Sequence, residues 1–465
     1  MKHSCLKETQ RTMKIPPAPL FQRGVRGDFQ VKRMALLVML ILAGFGTGGA
    51  HSQVLTLSEG LRLATENNRL VRIARQEEAI AKSDTLIARA PMFPNVNAAF
   101  NQTFLASEPK AVFGPLTVPV SRKDFYDYSL TVQQTLWDFK GNASRYGASR
   151  MILESKRFDT TRIRNLVAFN FTLSYLDLLQ AEKMLQVAED EVKRLESHLK
   201  DAANLYEQGV ITKNDLLQAQ VRISDAKQRR IDAKNLRNIN VSNINNIIAR
   251  PLKTEIKPVE VAETEALPPA TNPDLDQAWE TAENNRPEMQ IVNATLKSLG
   301  LEKESVKSDY YPKVFAGGSY DYLQNPYQTP NGNWSLVFGL RVNIFSGGAT
   351  MAQLSKINGQ KLQLLEQREK IADDIRLEVE RHILNLEAAR EKVSVTKGAV
   401  EQAQENVRIN RVKYSDGVGT ATDVLDALTL LTITETNYFR AVYDLRKAEA
   451  GVLYSQGKDL SEVYK

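Results

Sequence analysis

Cysteine is almost absent. The 465-residue chain has one, Cys5, which precedes the apolar run Met34 to Phe45. It is neither half of a disulfide nor a lipid-attachment residue at a cleavage site. After residue 53 there is no cysteine and there are two histidines, His198 and His382. That excludes thiol chemistry and Cys/His zinc sites. A Ser-His-Asp arrangement would need one of these two. Both sit in charged helical patterns, ESHLKD and VERHILN, which read as surface or seam positions. Net charge is also scarce outside the leader. The first 53 residues carry eight Lys/Arg and two Asp/Glu, and the remainder holds 53 of each sign. The formal charge of +6 is therefore a leader effect, and nucleic-acid binding is set aside. The apolar run is too short to span a membrane comfortably as a helix. With Lys32-Arg33 before it and Ala50-His51-Ser52 after it, it reads as a signal peptide, preceded by an unstructured Met1 to Val31.

What the chain does have is duplication. ATENNR (Ala64 to Arg69) returns as TAENNR (Thr281 to Arg286). APMFPNV (Ala90 to Val96) returns as SDYYPKV (Ser308 to Val314). LYEQGVITKNDLLQA (Leu205 to Ala219) returns without a gap as KYSDGVGTATDVLDA (Lys413 to Ala427). The chain divides into a leader and signal peptide (1–53), a first repeat (54–250), a proline-rich linker (251–273), a second repeat (274–458) and a tail (459–465).

Proline is missing between Asn142 and Tyr206, and glycine occurs there once, at Gly147. Leu185, Ala188, Val192, Leu195, Leu199, Ala202 and Tyr206 step by three and four, which is a heptad seam. Val393, Thr396, Val400, Ala403, Val407, Asn410 and Tyr414 repeat it in register. A helix of this length reaches roughly 100 Å. Each copy therefore predicts a long helical hairpin, over 142–249 with a tip near 209, and over 348–456 with a tip near 417.

Two strands per copy show period-two alternation, at about 95–106 and 125–138, and at about 313–323 and 333–345. One face is apolar and aromatic (Val96, Phe100, Tyr128, Leu130, Tyr320, Trp334, Leu336, Phe338), the other polar. Each is long enough for a transmembrane β-strand, with Tyr and Trp suited to the interface. A half-buried soluble sheet alternates in the same way. Four strands cannot close a barrel, and lipid tolerates no open sheet edge. A membrane reading therefore requires an oligomer, twelve strands from three copies or a tight eight from two.

The residues resemble the TolC-like outer-membrane efflux protein family across nearly the whole chain after the leader. The duplicated helix-strand-strand-helix-turn-helix unit carries the resemblance. So do the turn pattern Y-x-x-G-x-x-T-x-x-D-[LV]-L, FPNV and YPKV before the first strands, and LWDFKGN and IFSGGAT after the second. The resemblance implies a mainly α fold with a membrane β-barrel portion. It implies a homotrimer with a twelve-stranded barrel in outer-membrane lipid and a periplasmic α-helical tunnel. It implies a passive exit duct, not an enzyme, with no cofactor or metal, serving an efflux or type I secretion system. Its expected partners are a periplasmic adaptor and an inner-membrane pump or ATP-driven exporter. The rival reading is a periplasmic coiled-coil scaffold or adaptor without a barrel.

Carried onto this chain, the resemblance places the periplasmic tip and adaptor docking at Tyr206, Gly209 and Asp215, and at Tyr414 and Gly417. It places an acidic ring at Asp423 and Asp426. The best-known members carry an arginine five residues after the tyrosine that helps hold the tip closed; this chain has Gly419 there. The residues themselves supply a second reading. Thr420-Ala421-Thr422-Asp423 and Thr212-Lys213-Asn214-Asp215 are helix-capping patterns. Asp426 lies beyond the first turn, and its counterpart is Gln218, so capping does not account for it. Gly209 and Gly417 suit the left-handed backbone of a tight turn. Tyr206 and Tyr414 end the seam, where core packing is the first expectation.

Overall fold

The computed structural model describes residues 53–260 and 274–464. The expected signal peptide and the linker stretch 261–273 lie outside the described residues. Two helices dominate: α3 (Gly141–Glu207) and α7 (Ala349–Ser415), each of 67 residues. Each turns back into a 35-residue partner, α4 (Lys213–Ile247) and α8 (Ala421–Ser455). Equal lengths in the two copies are the structural form of the sequence duplication. Each long helix starts after two successive residues in the left-handed region, Phe139 and Lys140 in one copy, Gly347 and Gly348 in the other. These residues swing the chain from strand into helix.

Two short helices precede the strands in each copy. In the first they are α1 (Leu57–Asn67) and α2 (Arg69–Arg89). In the second they are α5 (Leu275–Asn285) and α6 (Pro287–Lys307). The repeated ATENNR/TAENNR marks their junction. Asn68 caps α2 through Leu70 N (2.8 Å) and ties it to Ile247 O (2.8 Å). At the matching place Arg286 is buried between Glu288 and Glu378 (3.1 and 3.0 Å), and Pro287 begins α6. Charge pairing keeps that guanidinium satisfied away from water.

The main sheet is antiparallel in the order β2 (Asn95–Phe104), β5 (Asp124–Trp137), β7 (Lys313–Leu323), β8 (Gly332–Arg341). Phe100, Tyr126, Tyr322, Tyr128, Tyr320 and Trp334 make a chain of ring contacts across it at 4.7 to 6.2 Å. The opposite face carries Asn101 bonded to Asp127 (2.8 Å) and Ser319 bonded to Ser335 (2.8 Å). The apolar face is uncovered: Trp334 is 74% exposed and Leu336 81%. A soluble half-buried sheet would lay that face against its own helices. Among the described residues both outer strands, β2 and β8, also leave one edge unpaired.

Two features have no counterpart among the sequence expectations. A small hairpin, β3 (Lys110–Phe113) and β4 (Leu116–Pro119), rises between β2 and β5, turned by Gly114 at φ +60°. A parallel pair, β1 (Gln53–Leu55) and β6 (Ile256–Pro258), joins the start of the first copy to its end. The buried Tyr175 hydroxyl fastens this pair, accepting from Val259 N (3.0 Å) and facing the Leu55 and Val259 carbonyls. The chain closes with α9 (Leu460–Val463). Among the described residues no helix is long and apolar enough to cross a membrane.

Candidate functional site: the hairpin tips

Both tips are built the same way. Gly209 and Gly417 take φ of +72° and +77°, the left-handed conformation that ends a helix cheaply only at glycine. Around each, two N–H groups turn back onto the last carbonyls. Gly209 N bonds Tyr206 O (3.0 Å) and Val210 N bonds Leu205 O (2.9 Å). Gly417 N bonds Tyr414 O (3.2 Å) and Val418 N bonds Lys413 O (3.0 Å). The return helices open on full capping boxes. The Asp423 carboxylate accepts from Thr420 N (3.0 Å) and the Thr420 hydroxyl (2.7 Å), and Asp423 N donates back to Thr420 Oγ1 (3.2 Å). Asp215 repeats this on Thr212 at 3.0, 2.7 and 3.4 Å. The Thr420 hydrogen bonds hold the Asp423 carboxyl below the ordinary carboxylate range.

Asp426 stands apart. Its side chain is 67% exposed, and its one ionic neighbour among the described residues is Arg222 on α4, at 3.8 Å. Sequence reasoning missed Arg222. The repeat held the signal, because the counterpart of Arg222 in the second copy is Leu430.

Gly419 has a local cause. A Cβ there would sit 3.0 Å from Lys413 Cβ and 3.1 Å from Tyr414 N, while Gly419 N itself bonds Lys413 O (2.9 Å). A side chain there would press on the end of α7 by a few tenths of an ångström, while the matching position of the first tip carries Ile211. The two seam tyrosines differ. Tyr414 is buried in a four-helix cluster with Val192, Leu195, Val407, Val424 and Leu428. Tyr206 is 40% exposed, so packing within one chain explains Tyr414 and not Tyr206. Of the histidines, His198 is buried in the seam beside Tyr414, and His382 lies near Glu378 (4.0 Å). Among the described residues no three His, Cys, Asp or Glu gather to hold a metal.

Twin hairpins with capped tips, joined to a sheet whose apolar face is open, are a specific combination. The model of the family described as "Outer membrane efflux protein" matches residues 60–250 and 278–457. The chain belongs to this family. The two matched segments fall one on each copy. Among relatives of the outer membrane efflux family, the alkaline protease secretion protein AprF of Pseudomonas aeruginosa is 23% identical, over 87% of this chain and 84% of that one. The fold is shared with solved members. CusC, described as undergoing transmembrane channel formation, superposes with TM-score 0.74 at 16% identity, over 90% of this chain and 96% of its own. The open-state MtrE outer membrane channel of Neisseria gonorrhoeae superposes with TM-score 0.70 at 18% identity, over 87% and 89%.

Proposed function

We propose that three copies of this chain form a passive outer-membrane exit duct, fed by an inner-membrane transporter through a periplasmic adaptor. One observation carries this reading: a four-stranded sheet with an uncovered apolar face and two free edges continues into helices roughly 100 Å long. Lipid covers such a face, and only barrel closure satisfies such edges in lipid. Three copies supply twelve strands. The rival reading, a scaffold with a soluble sheet, leaves Trp334, Leu336 and Phe338 facing water without reason. The relative named for alkaline protease secretion and the description of the family as outer membrane efflux proteins support export as the task.

The tip divides the work. Gly209, Asp215 and Gly417 shape the turns, and Tyr206, exposed in one chain, is free to meet a neighbour or the adaptor. Asp423 starts α8. Asp426 is left to face the axis with Arg222 beside it, where three copies of Asp423 and Asp426 bring six carboxylates together against three guanidinium groups. A ring of that kind favours cations in a narrow pore. The test is conductance in planar bilayers. The protein is expected to give stable channels, and Asp426→Asn to lower the cation-to-anion permeability ratio without unfolding the tip. Correctly folded trimers that conduct nothing would refute the duct.

A further inference from the structure

Where β5 passes into α3, two backbone features stand out. The pairing of β5 with β7 shifts register between Thr135 and Trp137, which brings Trp137 opposite Val314. Val314 shares a face with Tyr320 and Tyr322, so this bulge turns Trp137 onto the uncovered aromatic face. Two residues on, Phe139 and Lys140 take φ of +52° and +69°. A side chain in that conformation costs free energy that glycine avoids. The second copy has Gly347 and Gly348 at the matching places. The turn itself therefore needs no side chains, yet the first copy keeps two.

Those side chains build a rim. Phe139 stacks on Tyr311 at 4.8 Å and meets Trp137 edge-on at 6.0 Å. Each of the three rings is about half exposed. Lys140 is exposed and enters no ion pair among the described residues. The acids on the flanking turns are engaged, Asp138 with Asn142 N (2.6 Å) and Asp309 with Lys313 (2.7 Å). One uncompensated positive charge is left beside three open rings. Tyr128, in the ring contacts at the far end of the same face, lies nine residues from Trp137. That is roughly 30 Å along a strand. At the tilt of membrane strands it becomes about 21–25 Å of depth, the height of an apolar band between its two aromatic girdles. β5 and β7 are the central strands, so the rim lies away from the edges of β2 and β8, where a neighbouring copy would pair. Lipid is favoured over a second copy as what covers it.

We propose that this rim binds the headgroup of a net-anionic phospholipid of the inner leaflet; this rests on the duct reading above. The phosphate sits on Lys140, and the glycerol and upper acyl carbons lie against Trp137, Phe139 and Tyr311. Tryptophan and tyrosine suit that depth, where one end is apolar and the other wet. A zwitterionic headgroup would bring an ammonium to a place with no free carboxylate among the described residues. An anionic one balances the Lys140 charge.

Full-length trimers are delipidated in detergent and titrated with phosphatidylglycerol or phosphatidylcholine, and bound lipid is counted by native mass spectrometry. Phosphatidylglycerol is expected to bind more tightly. Lys140→Gly should weaken it about fivefold and leave phosphatidylcholine unchanged. Lys140→Arg should keep the preference, added salt should erode it, and Trp137→Leu should weaken both lipids. The thermal midpoint of Lys140→Gly in lipid-free detergent should hold or rise, since glycine suits the turn. Phosphatidylglycerol binding indifferent to Lys140→Gly, or an equal loss for both lipids, overturns the site. So does a lowered midpoint, which would make the Lys140 side chain structural. Bilayer conductance of the same preparation tests the duct separately. Conducting trimers whose lipid binding ignores Lys140 sink the rim site alone, and folded trimers that conduct nothing sink the duct.

Discussion

Gly451 sits inside α8, where glycine is about 1 kcal/mol worse than alanine for the helix. Its retention has a visible reason. A Cβ at 451 would lie 2.7 Å from His382 Cε1 and closer still to Nδ1. Moving the His382 ring disturbs its neighbours, since Phe169 meets it edge-on at 6.3 Å and Glu378 lies at 4.0 Å. Gly451→Ala should therefore gain about 1 kcal/mol of helix propensity and lose about 2 kcal/mol to overpacking. The net is a destabilisation of about 1 kcal/mol, a drop of roughly 1–3 °C in the thermal midpoint. With His382→Ala in place the clash is gone, and the same substitution should stabilise by up to about 1 kcal/mol. The sign reverses, and the coupling between the two positions is about 2 kcal/mol. Thermal unfolding of the detergent-solubilised protein, followed by circular dichroism across the four combinations, reads this cycle. If Gly451→Ala has the same sign in both backgrounds, ring packing is not what keeps glycine there.

Two further predictions concern the tips and the buried imidazoles. Thr420→Ala and Thr212→Ala each remove a capping box of nearly identical geometry, so each should cost about 1 kcal/mol, seen as faster amide exchange in the first turn of α8 or α4 alone. A matching loss of protection along the whole of either helix would contradict the local account. Burial lowers the pKa of both His198 and His382 from the ordinary 6.5. The folded chain then binds fewer protons than the unfolded one below that value, so stability should fall as pH drops from 7 toward 5. His198→Gln/His382→Gln should flatten that slope, as measured by thermal midpoint against pH.

The family and its mainly α architecture were legible because they rest on local periodicity and order. The three-four step of Leu185 to Tyr206 and the alternation around Tyr126 to Leu136 follow from backbone geometry that every residue reports for itself. The capping patterns at Thr212 and Thr420 were equally readable, since cap and partner are three residues apart. The β3–β4 hairpin escaped, although Gly114-Pro115 between two short apolar-rich stretches was its turn signal.

The sequence by itself determined two copies of one unit, their long helices, their strands and the chemistry of each tip. The tertiary structure alone decided which of these meet. It put Arg222 beside Asp426, buried Tyr414 while leaving Tyr206 exposed, narrowed the space at Gly419, and left the aromatic face of the sheet open. The physical reason is phase. A helix or strand sets the spacing of its own side chains, but the rotation and approach of one element against another come from packing across long stretches of chain, which no local pattern records.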